Sequence, residues 1–282
     1  KATKESGVKM NASNAIICFG NENFKGLKEY GEYMECLGDK EIMQSERFVL
    51  DMAIHAEYTS NPVVVEKAAD MAKEYGLNMQ LHLSETKAEH EECKARHGGL
   101  TPAAYFEKHG AFDVPCTAAH CVYLEGEDFD ILARKGVTAA NNPISNLKLA
   151  SGFANVGRML EAGINVGLGT DGAASNNNLN LFEELKLLAT LNKAISGDPT
   201  LITPAQALYA ATRAGAVSQG RTDCGLIKEG FAADLFLLDT DKPYMCPSHD
   251  IMSNLVYSAQ GSDVVMTICN GNILYNNGEY TT

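Results

Sequence analysis

Residues 48–83 read FVLDMAIHAEYTSNPVVVEKAADMAKEYGLNMQLHL, and this stretch decides the fold. Residues 48–54 form an apolar, β-rich run. Asn61 can then cap a helix whose first position is Pro62, and Val64, Ala68, Met71, Ala72 and Tyr75 fall on one face of it. Gly76 stops that helix, and 78–83 is a second β-rich run. Strand, helix and strand at this spacing make a parallel pair with a crossover helix. The alternation extends outward through runs at 15–19, 117–122, 137–141 and 165–169. Doubly wound sheets and barrels share this pattern, so periodicity alone does not choose between them.

Helical patterns at 179–196 and 204–219 follow the last of these runs, and the texture changes near Asp223. From there, strand-like runs such as 234–238 and Val264–Cys269 alternate with the turn pairs Asn270-Gly271 and Asn277-Gly278. The expected organisation is an α/β domain over 1–222 and a small β subdomain over 223–282.

With 282 residues and 45% hydrophobic content, the chain can bury a full core. Its net charge of −13, with 23 scattered Lys and Arg, offers no basic patch for nucleic acid. No apolar stretch reaches the ~20 residues of a membrane span, and no signal-peptide pattern opens the chain. The cysteines at 18, 36, 93, 116, 121, 224, 246 and 269 form no C-x-x-C pair, and several sit in apolar runs. A reducing, cytoplasmic setting is expected.

Ligands for catalysis on a parallel framework belong at the C-terminal ends of strands. Four such ends here carry titratable groups: His55 (MAIHAEY), His82 with Glu85 (LHLSET), His120 (TAAHCVYL) and Asp171 (GLGTDGAAS). Taken singly each is weak. A lone strand-end histidine is more often structural, and an Asp before Gly is often a turn residue. Thr86 and Glu89 suit a capping box, His90, His97 and His109 receive no function, and His249 reads as a turn residue. The recurrence at successive ends, all facing one mouth, carries the argument. A zinc-type cation takes imidazole and carboxylate ligands and keeps a position open for water, whose pKa then falls toward ~7. A carboxylate that is not a ligand then moves the proton. His82 and Asp171 suit the ligand role, Glu85 the shuttle, and His120 the orientation of the attacking oxygen.

The set LHLSET, TAAHCV, NNPISNLKLASG and GLGTDGAASNNNLNLFEE, in that order, resembles the amidohydrolase superfamily. Within it the chain is most similar to 5′-methylthioadenosine/S-adenosylhomocysteine deaminases. The ending GLIKEGFAADLFLLDTD resembles that group's return into a composite β-sandwich. The resemblance covers essentially the whole chain. It implies a TIM-type (β/α) barrel lacking its first strands, with a remnant of the β-sandwich. Six strands are visible and a barrel needs eight, so two are expected upstream of Lys1. The opening KATKESGVKM reads like a helix interior running into a strand, as in an excised or processed terminus.

The resemblance further implies that His82 and Asp171 bind one divalent metal, zinc in expectation, and that Glu85 protonates the purine ring. It also implies that His120 and Asp171 manage the attacking hydroxide, and that His55 and Glu85 contact the nucleoside. Asn142, Ser145 and Asn146 match a loop of the same group and are read as structural. Two departures stand out. No His-x-His pair, the source of two further ligands, occurs in the sequence, and no arginine lies between Lys1 and Glu46. The substrate-carboxylate arginines of the group fall at Asn14 and near Glu22, so a bidentate clamp is missing. The expected activity is hydrolytic deamination of an adenosine-type thioether, with a second copy of the chain (a homo-oligomer) or an N-terminal segment as the candidate partner. The rivals are guanine deamination or s-triazine (chloro)hydrolysis on the same scaffold, and a catalytically incompetent barrel fragment that only binds.

Overall fold

The computed structural model describes residues 2–20 and 23–281, so the position expected near Glu22 lies outside the described residues. In chain order the first eight strands are β1 (Met10–Ala12), β2 (Ala15–Ile16), β3 (Phe48–Leu50), β4 (Met52–Ile54), β5 (Met79–Leu83), β6 (Cys116–His120), β7 (Thr138–Asn141) and β8 (Asn165–Leu168). Six of them make a parallel sheet in the order β2-β4-β5-β6-β7-β8. Because every pairing in it is parallel, all six C-terminal ends open on one side.

The crossover helix forms as its residues dictate. Asn61 accepts a hydrogen bond from the Val64 amide, Pro62 starts the helix, and Gly76 ends it in the left-handed conformation that its missing side chain permits. Val64, Val65, Ala68, Met71 and Ala72 are buried with the sheet residues Met52, Ile54, Met79, Leu81 and Leu83. Each large side chain removed from water in this way contributes roughly 1.5–3 kcal/mol before chain entropy is counted.

The run 48–54 is two strands, not one. Phe48–Leu50 pairs with Met10–Ala12 in a separate two-stranded ribbon, and Met52–Ile54 joins the main sheet. Asp51 lies between them with its carboxylate buried. Amide groups of Asn11, Asn78 and Gln80 donate to it, the last at 2.7 Å. A buried carboxylate needs donors, and gathering three of them turns the chain. The run 15–19 pairs only over Ala15–Ile16, after which the Cys18 amide bonds to Thr59 instead. The run 117–122 ends at His120, where φ values of 73° and 52° at His120 and Cys121 take the backbone out of the sheet.

The helix expected over 204–219 is a continuous helical segment to Ser218 that widens into a π turn at Ala210–Ala214. Beyond it, β9 (Leu235–Leu238), β10 (Val264–Cys269), β11 (Asn272–Asn276) and β12 (Glu279–Tyr280) form an antiparallel sheet in the order β12-β11-β10-β9. Both turn pairs have positive φ at Asn and Gly, the requirement of tight hairpins. Lys9 ties the start of this sheet to the N-terminal ribbon through Asp234 at 2.6 Å. Among the described residues no helix is long and apolar enough to cross a membrane.

Candidate active site

The four strand ends singled out in the sequence meet at the C-terminal side of the sheet. His55 follows β4, and its ring stands edge-on to His82 with centroids 4.9 Å apart. His82, at the end of β5, stacks on His120 of β6 at 5.4 Å. Glu85 Oε2 lies 3.6 Å from His120 Nε2. Asp171, three residues past β8, is close enough for its charge and that of His120 to act on each other.

Each side chain is oriented by a partner of known hydrogen-bonding character. His82 Nδ1 is 2.6 Å from the His55 carbonyl, which only accepts. In the neutral ring the proton therefore sits on Nδ1, and the lone pair is on Nε2. Metal-binding histidines are held in the same way. Asp171 accepts from Ser145 Oγ at 2.6 Å on one oxygen and from the Gly172 amide at 2.7 Å on the other. Burial works to raise its carboxyl, but these bonds prevail and hold it below the usual carboxylate range. His55 rests against Thr59 Oγ1 at 3.0 Å. Burial, reinforced by His82, pushes its imidazole down. His120 is also pushed down by burial, against the pull of Glu85 and of the Asn146 hydrogen bond.

The turn carrying Glu85 is fixed from below. The Glu89 carboxylate accepts from the amides of Ser84, Glu85 and Thr86, while Thr86 caps the Lys87–Arg96 helix, as the capping-box reading expects. Ser84, His120, Cys121 and Asp171 all have φ between 48° and 73°. Left-handed backbone at non-glycine residues costs energy, and it clusters where a fold must aim side chains at a site.

Three contacts escaped the sequence reading. Ser145 holds Asp171, Asn146 Oδ1 lies 2.8 Å from His120 Nδ1, and Ser151 Oγ donates to Glu85 Oε1 at 3.1 Å. In the sequence alone Ser145 and Asn146 read as loop structure, and Ser151 carries no signal of its own. The signal was in NNPISNLKLASG, but uncharged side chains after a helix-starting proline look like caps. Gly169 also belongs here. A Cβ on it would stand 2.4 Å from Asn142 Oδ1, so only glycine lets Asn142 pack beside His120.

As to metal, His82 and Asp171 offer an imidazole nitrogen with a free lone pair and an ionised carboxylate. That donor chemistry fits a zinc-type cation and supplies two of its usual four positions. Glu57, Cys93 and His97 also bring three donor atoms within 4.8 Å of one another. Arg96 already grips the Glu57 carboxylate at 2.5 and 3.2 Å, and His97 bonds it at 2.6 Å. Burial pushes the Cys93 thiol up to about 12. This cluster is a satisfied ion pair, clamping the loop after His55 to the C-terminal end of the Lys87–Arg96 helix.

Residues 3–274 match the amidohydrolase family. The chain belongs to that family. It is 44% identical, over its whole length, to a protein of Dictyoglomus thermophilum named 5-methylthioadenosine/S-adenosylhomocysteine deaminase, and it spans 65% of that relative. The backbone superposes on a zinc-bound adenosine deaminase from Xanthomonas campestris with a TM-score of 0.91 at 31% identity, covering 99% of this chain and 63% of that one. A zinc-complexed atrazine chlorohydrolase from Arthrobacter aurescens TC1 gives 0.87 at 26% identity, covering 99% and 64%. The amidohydrolase thus spans about two thirds of the length of each.

Proposed function

We propose that this amidohydrolase carries the reaction centre of a hydrolytic deaminase acting on adenosine-type thioethers, 5′-methylthioadenosine and S-adenosylhomocysteine. The observation that carries this reading is the contact of Glu85 with His120 beside the imidazole of His82 and the carboxylate of Asp171, all at one mouth. His82 and Asp171 are the ligands for a divalent cation, zinc by preference, which when bound lowers the pKa of water toward ~7. Glu85 carries a proton to the purine ring nitrogen, and the conversion of the amine to ammonia follows. His120, neutral because burial depresses it, accepts a hydrogen bond from the attacking water at Nε2, and Asp171 holds it from the other side. His55 and Glu85 contact the nucleoside.

On the same reading, residues 1–222 form the greater part of a β/α barrel and 223–282 a small β subdomain, in a cytoplasmic protein. The name of the 44%-identical relative favours thioadenosines over guanine or s-triazines. Ammonia release from 5′-methylthioadenosine, S-adenosylhomocysteine, adenosine and guanine, with atrazine dechlorination alongside, tests it. Turnover of 5′-methylthioadenosine or S-adenosylhomocysteine is expected. Turnover of guanine or atrazine alone defeats the substrate assignment.

A further inference from the structure

One short segment reaches all three residues assigned to the proton and oxygen chemistry. Residues 142–151 leave β7, form the helix Pro143–Lys148, and turn back on themselves at Ala150 with φ 56°. Within ten residues they present Ser145 to Asp171, Asn146 to His120 and Ser151 to Glu85. All three side chains are buried, which limits their exchange with bulk water. The segment also closes on itself, since the Ser151 amide donates to the Asn146 carbonyl at 2.9 Å. The residue that orients Glu85 is thereby fixed to the residue that orients His120.

We infer that Ser145, Asn146 and Ser151 are positioning residues that set the protonation geometry of the site without touching the reacting atoms. The inference rests on the deaminase reading for its kinetic consequences, but not for its geometry. Asn146 Oδ1 is an acceptor at 2.8 Å, so neutral His120 keeps its proton on Nδ1 and turns a bare Nε2 toward Glu85. The Asn142 amide approaches the same Nδ1 only at 3.5 Å, the outer limit of a hydrogen bond, and does not compete. The other tautomer would present an N–H to Glu85 and could not accept a proton from water.

Ser151 does the matching task for Glu85. Its hydroxyl occupies Oε1, which leaves Oε2 as the oxygen facing His120. The 3.6 Å between Oε2 and Nε2 is too long for a direct hydrogen bond. Ser145 fixes the rotation of the Asp171 carboxylate, and with it the direction of that donor.

A further observation separates this role from a structural one. Asn146 Nδ2 is buried and has no hydrogen-bond partner. An orphaned buried amide group destabilises a fold, because it loses its bonds to water and gains none in return. A residue kept only for packing would be an aliphatic one, such as leucine.

The test uses the full chain labelled with ¹⁵N at histidine, with the His120 signals assigned by loss in His120→Gln. In the wild type the neutral ring shows Nδ1 protonated. Asn146→Leu is expected to move it to a mixture or to the Nε2 form while the melting temperature stays level or rises. Asn146→Leu and Ser151→Ala each lower kcat roughly 10- to 100-fold with KM within about threefold, the scale of impaired acid–base catalysis. Ser151→Thr, which keeps the hydroxyl, restores most of it. Ser145→Ala acts elsewhere and weakens zinc binding about 10- to 100-fold, as second-layer contacts to metal ligands do. An unchanged His120 tautomer in Asn146→Leu overturns the inference, as does a wild-type kcat in Ser151→Ala. If the wild type releases no ammonia from any purine, the deaminase reading fails. The tautomer and zinc measurements then decide the positioning roles by themselves.

Discussion

Glu85 stands between a donor that fixes it and a base that faces it, and this sets what a substitution does. In Glu85→Gln the amide oxygen still accepts from Ser151, so the turn and the proposed ligands His82 and Asp171 keep their places. The capacity to carry a proton is lost. Metal content is expected to stay at the wild-type level while turnover falls by a factor of ~10² or more, which zinc analysis and steady-state kinetics check together. His82→Ala removes a donor outright, and zinc content should fall instead. Metal loss in Glu85→Gln would mean that ligand and shuttle are exchanged. At this scale the titratable residues were legible in the sequence, because His55, His82, His120 and Asp171 recur at strand ends where such groups are unusual. Ser145, Asn146 and Ser151 were not. Uncharged polar side chains are common at helix starts and turns, and only coordinates reveal which of them reach across to another strand.

Among the elements, the crossover helix and the hairpins were legible because each is fixed by local chemistry: Asn61, Pro62 and Gly76 in the first, Asn-Gly pairs in the second. The division of 48–54 was not. It depends on Asn11, Asn78 and Gln80, which lie 27 to 40 residues away along the chain and converge on Asp51. Nothing within the run itself marks Asp51 as their meeting point. Asp51→Leu tests this account, since it leaves the amide groups of Asn78 and Gln80 without their acceptor, while Asn11 keeps the Gln219 carbonyl. The expected loss is about 2 kcal/mol or more, taking the lower end for each orphaned donor. Urea unfolding measures it through a lower midpoint at unchanged slope. A midpoint within error of the wild type would show that the break is held by something other than the carboxylate.

At the scale of the whole molecule, a partly buried ion pair, Lys9 with Asp234, joins the N-terminal ribbon to the C-terminal sheet. Asp234 is buried enough for its carboxyl to be pushed up, yet Lys9, Cys224 and the Asn270 amide reverse this and hold it at about 2. The sign follows from linkage. A carboxyl depressed in the folded state contributes stability in full above its ordinary value, near ~4, and loses it as the pH falls toward about 2. Asp234→Asn, compared with the wild type by thermal unfolding, should therefore be less stable at pH 6 and approach it between pH 4 and 2. A constant difference across that window would mean that the contribution comes from packing and not from charge.

On the proposed deaminase reading, the substrate preference depends on the same large-scale arrangement, because the far end of a thioadenosine would have to reach beyond the histidines. S-adenosylhomocysteine ends in an amino acid, whose carboxylate needs a cation or several amides, whereas 5′-methylthioadenosine ends in a methyl group. At the position where the resemblance places an arginine, Asn14 is engaged by its neighbours. Tyr33 accepts from its amide and donates to its carbonyl, and its side chain bonds to Glu32. Glu32 is in turn paired with Lys28 at 2.9 Å, so this cation beside Asn14 is already engaged. No arginine occurs before Arg47, and Arg47 spends a guanidinium nitrogen on the Gly7 carbonyl. A charge-assisted hydrogen bond is worth ~1.5–3 kcal/mol, so its absence should favour 5′-methylthioadenosine by roughly tenfold to a hundredfold in kcat/KM. Competition between the two substrates for one enzyme measures this ratio directly. Introducing the cation by Asn14→Arg should narrow it, since the arginine would gain a substrate carboxylate and be held in place by Glu32. A wild-type ratio that favours S-adenosylhomocysteine would require a basic group from elsewhere, and a neighbouring subunit would be the first place to look.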